Sequence, residues 1–130
     1  MGWLVRRGVS LAGARTLAVR GRTSGEWRTT VVNPLDLGDQ RFLVAPRGHT
    51  QWVRNLRVAL QGELRIGRRT EQFTAIEVAD SEKVPVLREY LVRWWWEVGR
   101  FFDGLDKHST DAELLAVAPD FPVFRITSRG

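Results

Sequence analysis

The sequence predicts an α+β fold built around a small antiparallel β-barrel. Three observations carry this prediction: about six short strand-like segments joined by hairpin turns, helical patterns inserted among them, and a length of 130 residues, which suits one domain. Apolar residues make up 43% and charged residues 27% of the chain, as in ordinary globular proteins. We therefore expect residues 1–130 to form a single domain.

The predicted strands alternate with glycine- or proline-containing turns. Asn33-Pro34 disturbs the second strand, as at a bulge or an edge, and a hairpin turn over residues 37–40 leads into the third. The predicted strands are residues 16–19, 29–32, 41–45, 63–66, 69–78 and 121–127.

Helical patterns occur at four places. Residues 3–12 predict a short amphipathic helix with a basic face, which packs on the core or contacts a membrane surface, unless this segment is a frayed terminus. Thr50 is placed to cap a helix from Gln51 to about Ala59. A long helix follows with Pro85 in its first turn, and residues 111–118 predict a brief one. The apolar stripe of the long helix is Leu87, Tyr90, Leu91, Trp94, Val98, Phe101 and Phe102.

Basic residues are concentrated in the first half of the chain. Residues 1–70 contain thirteen Arg and four acidic residues, whereas residues 71–130 contain seven Lys or Arg and eleven acidic residues. This asymmetry indicates an anionic partner for the first half, and Arg suits bidentate binding of phosphate or carboxylate. A GC-rich genome also favours Arg throughout a protein. The Arg content alone therefore does not establish an anionic partner, and the positions of the arginines must distinguish the two explanations.

Several classes of chemistry are excluded by what the sequence lacks. The absence of cysteine excludes disulfides, thiol catalysis and iron–sulfur ligation. With only two histidines, His49 and His108, no metal site is expected, and the hydrolase and nucleotide-binding glycine motifs are missing. No apolar run approaches the roughly 20 residues that cross a bilayer, and no clear leader precedes the predicted barrel. We expect a cytoplasmic protein.

The most distinctive local motif is the loop between the first two predicted strands. It combines two arginines, two hydroxyl side chains and a glycine, namely Arg22, Arg28, Thr23, Ser24 and Gly25. Glycines let backbone N–H groups approach an anion, so this composition suits a phosphate-binding nest. A glycine- and serine-rich segment between strands is also common as a plain turn.

A second basic loop, residues 46–50, runs into the predicted helix that begins at Gln51. Free N–H groups and the helix dipole favour negative charge at such a position, and Arg47 and Gly48 lie in this loop. Asn55 either points toward the same pocket as Trp52 or is a buried polar anchor beside a core tryptophan.

The run Trp94-Trp95-Trp96 cannot share one helix face. Trp94 continues the apolar stripe, so Trp95 or Trp96 projects elsewhere. These rings either pack against the N-terminal segment or form a hydrophobic mouth for an apolar substrate or a lipid surface.

Taken in order along the chain, these motifs resemble the deazaflavin-dependent nitroreductase family, the split β-barrel flavin and deazaflavin oxidoreductases. The resemblance covers roughly Leu17 to Thr127. It rests on Gly21-Arg22-Thr23-Ser24-Gly25-x-x-Arg28-Thr29-Thr30, Val44-Ala45-Pro46-Arg47-Gly48, Trp52-Val53-Arg54-Asn55-Leu56-Arg57 and Phe121-Pro122-Val123-Phe124-Arg125-Ile126.

The resemblance implies a split β-barrel that binds the 5-deazaflavin coenzyme F(420), with FMN as the alternative. It implies hydride transfer from the reduced ring to an electron-poor acceptor such as a quinone or a nitroaromatic. The first basic loop would hold the phosphate and the acidic tail, which would account for the basic first half. The cofactor-binding residues that it implies are Arg22, Thr23, Ser24, Gly25, Arg28, Thr30, Val31, Val32, Pro46, Arg47, Gly48, Trp52 and Asn55.

Two departures from the family pattern bear on the site. Thr23 stands where many relatives carry Lys, so Arg20 or Arg47 is expected to supply the missing charge. Relatives often place tyrosines near the substrate, whereas the only tyrosine here, Tyr90, falls on the apolar stripe. The sequence identifies no side chain that donates a proton to the acceptor, and water is an equally good proton source. The residues then expected on the substrate side are Phe101, Phe102 and His108.

A different interpretation is a small basic module that binds nucleic acid or an anionic membrane without turnover. The arginines interleave with loop glycines instead of lining a helix, which favours the reductase and predicts no nucleic-acid partner. Contact of residues 1–12 with a membrane surface stays open, as does the choice between a monomer and a homodimer.

Overall fold

The computed structural model describes residues 15–98, 104–106 and 108–129, so the helix predicted over residues 3–12 lies outside the described part. Seven strands form one sheet. They are β1 (Arg15–Arg20), β2 (Trp27–Val32), β3 (Leu35–Leu37), β4 (Gln40–Val44), β5 (Gln61–Ile66), β6 (Arg69–Glu77) and β7 (Val123–Ser128). Their order is β2-β1-β5-β6-β7-β4-β3, and every neighbouring pair is antiparallel.

The two edges of this sheet, β2 and β3, are consecutive in the chain. Only Asn33 and Pro34 separate them. Because proline lacks the N–H that a sheet ladder needs, the chain leaves the first edge there and starts the opposite edge two residues later. This break gives seven strands where the sequence predicted about six. The α+β class and the split barrel are confirmed, with the opening between β2 and β3.

The described residues form three α-helices: α1 (Gln51–Ala59), α2 (Val84–Val98) and α3 (Asp111–Val117). The bounds of α1 are those predicted, but Thr50 caps it by position alone, because its side chain makes no capping hydrogen bond. Pro85 lies in the first turn of α2, as predicted. Short 3-10 helices over Asp80–Glu82 and Ala118–Asp120 precede α2 and follow α3.

Strand β4 is buried on both faces, which holds α1 and α2 on opposite sides of it. Leu43 belongs to an apolar cluster that includes Val53 and Leu56 of α1. Phe42 and Val44 belong to a second cluster, which contains Leu87, Tyr90 and Leu91 of α2. The alternation of side chains along a strand produces this division.

Helix α2 is irregular at Trp94, where the backbone leaves helical geometry (φ −125°, ψ 23°). Trp94 is 9% exposed and its ring centroid lies 5.1 Å from that of Tyr90, so it continues the apolar stripe as predicted. The side chains of Trp95 and Trp96, and the whole of Phe101 and Phe102, lie outside the described residues. None of the helices described is long and apolar enough to span a bilayer.

Candidate active site

A cavity of about 1210 Å³ opens beside the edge strand β2. It is bounded by β2, by the loop before it, by the segment between β4 and α1, and by the first turns of α1. Eleven of the thirteen predicted cofactor residues line it: Arg22, Thr23, Ser24, Arg28, Thr30, Val31, Val32, Pro46, Arg47, Trp52 and Asn55.

The cavity wall changes from basic to apolar along β2. Arg22, Arg28 and Arg47 border it, and none of the described residues that line it is acidic. At the far end of β2, Val32 lines the cavity together with Val44 and Tyr90. A strand rises about 3.3 Å per residue, so these two environments lie about 13 Å apart between Arg28 and Val32.

The loop between β1 and β2, residues 21–26, is closed by its own hydrogen bonds. The N–H of Gly21 donates to the Glu26 carbonyl at 2.8 Å, and that of Gly25 donates to the Gly21 carbonyl at 2.9 Å. Ser24 Oγ accepts from the N–H of Glu26 at 3.1 Å. The N–H groups of Gly21, Gly25 and Glu26 are therefore already used, and the loop also carries guanidinium and hydroxyl groups that can bind an anion.

Asn55 joins this loop to α1. It is only 5% exposed, and its Oδ1 accepts from the backbone N–H of Arg22 at 3.1 Å and from Arg22 Nη1 at 2.8 Å. Arg22 Nη1 also donates to Gln51 Oε1 at 2.9 Å. Both interpretations of Asn55 are thus realised at once, since it borders the cavity and is a buried polar anchor. Trp52 borders the cavity too, and its ring lies 6.1 Å from that of Phe124.

Arg28 differs from Arg22 in having no partner of this kind. Its side chain is exposed at the cavity and makes no hydrogen bond or ion pair with the described residues. A charge held at a cavity without a counter-ion is available to an anionic ligand. Of the two residues expected to replace the family's Lys at Thr23, Arg47 borders the cavity. Arg20 instead bonds the Gly25 carbonyl and stacks over Trp27 at 4.2 Å.

The other two predicted cofactor residues, Gly25 and Gly48, do not line the cavity. Both have positive φ, 75° and 83°, which side-chain-bearing residues rarely adopt. A Cβ on Gly48 would also lie 3.3 Å from the carbonyl oxygen of Asp120. These glycines provide the backbone turns of the two loops.

Of the three residues expected on the substrate side, the structure describes His108. His108 is exposed and does not border the cavity, and Phe101 and Phe102 lie outside the described residues. Tyr90 does border it, although the sequence placed this residue in the core. It is 3% exposed and packs in the α2 cluster, so it belongs to both places. The helical spacing of apolar residues predicts which side chains are buried, but it does not show that the buried stripe reaches a cavity wall.

The donor set fits a molecule with an apolar planar head and an anionic tail. Three guanidinium groups, with the hydroxyls of Thr23 and Ser24, suit phosphate and carboxylate groups. The walls around Val32 and Val44 suit an apolar ring. Thr50 Oγ1 is buried beside this cavity with no hydrogen-bond partner, an arrangement that protein interiors normally avoid.

A second, smaller cavity has a charge distribution that does not suit an anionic ligand. It has a volume of about 570 Å³ and is lined by Asp36, Asp39, Arg41, Glu71 and Arg125, among others. Arg41 is engaged there by Asp36 at 2.9 Å and Glu71 at 3.0 Å. The hydrogen bond from Arg41 to Asp36 is the largest cause that raises the pKa of Arg41. With these acids among its walls, this cavity does not attract an anion.

The sequence model of a family described as F(420)H(2)-dependent quinone reductase matches residues 5–108. The chain belongs to this family. The protein is thus an oxidoreductase, and its cofactor is coenzyme F(420), which decides between the deazaflavin and FMN. No curated protein sequence matches the chain.

Solved structures similar to this quinone-reductase family member share its fold at low sequence identity. An Agrobacterium tumefaciens protein of unknown function has a TM-score of 0.61 and 18% identity over 93% of this chain and 51% of that one. The chain therefore spans about half of that protein. A structure described as an F(420)-H2 dependent reductase, FDR-A, has a TM-score of 0.60 and 17% identity over 88% and 94% of the two chains. Another, described as a domain-swapped dimer, has a TM-score of 0.59 and 16% identity over 88% and 80%.

Proposed function

We propose that this oxidoreductase passes a hydride from reduced coenzyme F(420) to a quinone, with both held in the cavity beside β2. The observation that carries the proposal is the division of one cavity into a basic end without acidic residues and an apolar end. Family membership supports the quinone as acceptor.

The coenzyme's phosphate and acidic tail would bind at the basic end. Arg28, Thr23 and Ser24 are exposed there and supply one charge and two hydroxyls. Arg22 is held in place by Asn55 and Gln51, so its guanidinium needs little ordering when an anion arrives. Arg47 adds a third charge from the opposite loop.

The deazaflavin ring and the acceptor would occupy the apolar end. Thr30, Val31 and Val32 form one wall along β2, and Pro46 and Trp52 border the cavity from the α1 side. An uncharged, planar quinone matches such walls better than a polyhydroxylated or charged acceptor does.

The bound coenzyme supplies the hydride, and the protein's own residues supply the arrangement in which it can move. The apolar side chains at Val32, Val44 and Tyr90 exclude water from the reacting end. The basic loop fixes the tail, which orients the ring relative to the acceptor and lowers the entropic part of the barrier.

Arginine substitutions test where the tail binds. In Arg28→Ala, coenzyme binding should weaken by about 1.5–3 kcal/mol, because a charge-assisted hydrogen bond is lost from a side chain that supports nothing else in the fold. Titration of the oxidised coenzyme, followed by fluorescence of the six tryptophans, measures this change.

Arg54→Ala is the matched control. Arg54 lies in α1 next to Asn55, but it is exposed and does not border the cavity. The Arg54→Ala substitution removes the same charge from the same region and should change the dissociation constant of the coenzyme little. Equal weakening in both variants would mean that net charge, and not contact, is responsible. No weakening in Arg28→Ala would refute the proposed tail site.

The acceptor is tested by turnover. With reduced coenzyme as donor, the protein should reduce menadione with a higher kcat/KM than it shows for a nitroaromatic of similar size. A reversed order would move the proposal to nitroreduction, and no coenzyme oxidation with either acceptor would overturn it.

A further inference from the structure

Thr50 is the N-cap residue of α1, but its hydroxyl does not perform the usual role of that position. Its backbone is extended (φ −80°, ψ −179°), as an N-cap requires, yet its side chain makes no capping hydrogen bond. The backbone is fixed, because the Thr50 N–H donates to the Gly48 carbonyl at 2.9 Å and the Thr50 carbonyl accepts from the N–H of Arg54 at 3.2 Å. The hydroxyl is thus the part of this residue that the helix does not use.

Thr110 shows what a threonine does in the same position at the start of α3. Its backbone is similar (φ −72°, ψ 162°), and its Oγ1 accepts from the N–H of Glu113 at 3.1 Å. The N–H of Thr110 in turn donates to Glu113 Oε1 at 2.7 Å. An extended N-cap backbone therefore does not prevent a threonine from capping, and the unused hydroxyl of Thr50 needs another explanation.

The Thr50 hydroxyl is also cut off from solvent. Oγ1 is buried and has no hydrogen-bond partner among the described residues, although the residue as a whole is partly exposed and lines the cavity. A buried hydroxyl without a partner is costly, and proteins satisfy nearly all such groups. The Cα–Cβ bond has three staggered positions, and a rotation from one to another changes which side-chain atom faces the cavity. A ligand in the cavity can therefore supply the missing hydrogen bond.

The position of Thr50 in the cavity indicates which part of the ligand it meets. Arg22 and Arg28 line the cavity at its basic end, whereas Thr50 belongs to the same side of the cavity as Pro46 and Trp52, where the proposed binding mode places the ring. A hydroxyl both donates and accepts, so it suits a ring edge that carries carbonyl and N–H groups, as flavin-type rings do. A phosphate or carboxylate is bound better by the guanidinium groups.

We propose that Thr50 binds the deazaflavin ring of coenzyme F(420) through its hydroxyl, which acquires a hydrogen-bond partner only when the ring is in the cavity. The inference rests on the proposed function, because it takes this cavity as the coenzyme site. In the free protein the hydroxyl adds nothing to stability, whereas in the complex it adds to affinity. Stability and binding should therefore respond differently to its removal.

Thermal unfolding without coenzyme tests the state of the hydroxyl in the free protein. Thr50→Val removes the hydroxyl and keeps the shape of the side chain, so the melting temperature should equal that of the parent protein or exceed it. Thr110→Val is the matched control, since it removes a hydroxyl that caps its helix, and it should melt about 3–5 °C lower. A comparable loss in Thr50→Val would mean that its hydroxyl caps α1, and would overturn the proposal.

Coenzyme binding should show the opposite pattern. Thr50→Val should raise the dissociation constant of oxidised coenzyme F(420) about three- to ten-fold, as followed by tryptophan fluorescence, whereas Thr110→Val should leave it unchanged. Thr50→Ser keeps a hydroxyl at this position and should bind like the parent protein. Equal affinity of Thr50→Val and the parent protein would refute the inference.

The absorption spectrum of the bound coenzyme tests which part of it Thr50 contacts. A hydrogen bond to the ring alters the ring's absorption, so the maximum of the bound, oxidised coenzyme should differ between Thr50→Val and the parent protein at saturation. The maximum should be the same in Arg28→Ala as in the parent protein, because Arg28 is proposed to bind the tail. Weaker binding by Thr50→Val with an unchanged spectrum would contradict a contact with the ring.

Turnover distinguishes failure of this inference from failure of the proposed function. If the parent protein binds the coenzyme, responds to Thr50→Val as stated and reduces no quinone, the inference stands and the proposed function is refuted. If the parent protein reduces menadione and Thr50→Val matches it in affinity and in the spectrum of the bound coenzyme, the inference alone is refuted.

Discussion

At the scale of single residues, Asn55 shows how one side chain serves both the fold and the cavity. Its oxygen accepts two hydrogen bonds from Arg22 and its side chain borders the cavity. A buried acceptor of this kind fixes the neighbouring backbone, since leaving an N–H unpaired there costs about 1–3 kcal/mol. The loop position and the charge at the cavity are therefore set by the same contact.

Asn55→Asp separates these two roles. The carboxylate has nearly the same shape and can accept both bonds from Arg22, so the free energy of unfolding should change by less than about 1 kcal/mol. The added negative charge would repel the coenzyme tail, and affinity should fall about ten-fold or more. Urea denaturation and coenzyme titration measure the two effects. A variant that loses stability but not affinity would contradict this assignment.

At the scale of elements, the two loops beside the cavity depend on glycines that do not touch it. Gly48 has a φ of 83° and approaches the backbone of Asp120. Such a loop keeps one shape because its backbone conformation excludes most alternatives. The sequence predicted both Gly25 and Gly48 as cofactor-binding residues, and neither lines the cavity.

Gly48→Ala should destabilise the protein by about 1–2 kcal/mol through left-handed backbone strain, with a further contribution from the contact at 3.3 Å. Gly67→Ala is the control, because Gly67 has a φ of 57° in the β5–β6 turn and a Cβ there meets nothing within 4 Å. Thermal unfolding should show the larger loss for Gly48→Ala, and coenzyme affinity should fall only in that variant. Equal losses in both would remove the Asp120 contact from the explanation.

At the scale of the whole molecule, the basic first half of the sequence becomes a local feature. Arg22, Arg28 and Arg47 meet at one cavity, although 25 residues separate the first from the last. Two arginines outside it, Arg41 and Arg57, are instead paired with carboxylates of β3 and β6. The excess of basic residues in the first half of the sequence thus produces a positive electrostatic field at one site.

Coenzyme affinity should therefore depend on salt. Raising the ionic strength from about 0.1 M to about 1 M shortens the screening length from about 10 Å to about 3 Å, and affinity should fall about ten-fold or more. The KM for menadione, which is uncharged, should stay nearly constant over the same range. A dissociation constant that does not respond to salt would mean that the arginines do not face the tail.

Much of this could be predicted from residue types and spacing, and the remainder has a physical reason. Strand positions and the bounds of α1 follow from hydrophobic periodicity and turn residues. The motifs that carry the family resemblance contain most of the residues that line the cavity. Periodicity could not show that Tyr90 reaches a cavity, because burial in a core and burial beside a void give the same spacing. The Asn55–Arg22 contact joins residues 33 apart, and no local pattern reports such a pair.

The short connection at Asn33 and Pro34 has a consequence for how a ligand enters. Three consecutive Cα–Cα links can reach at most about 11 Å, so the gap between the two sheet margins is tethered and narrow at that end. In the proposed binding mode the ring lies near Val32, so the coenzyme would enter head first from the side of Arg28. Its tail would stay with the arginines at that end, and carriers with longer or shorter tails would place their rings identically.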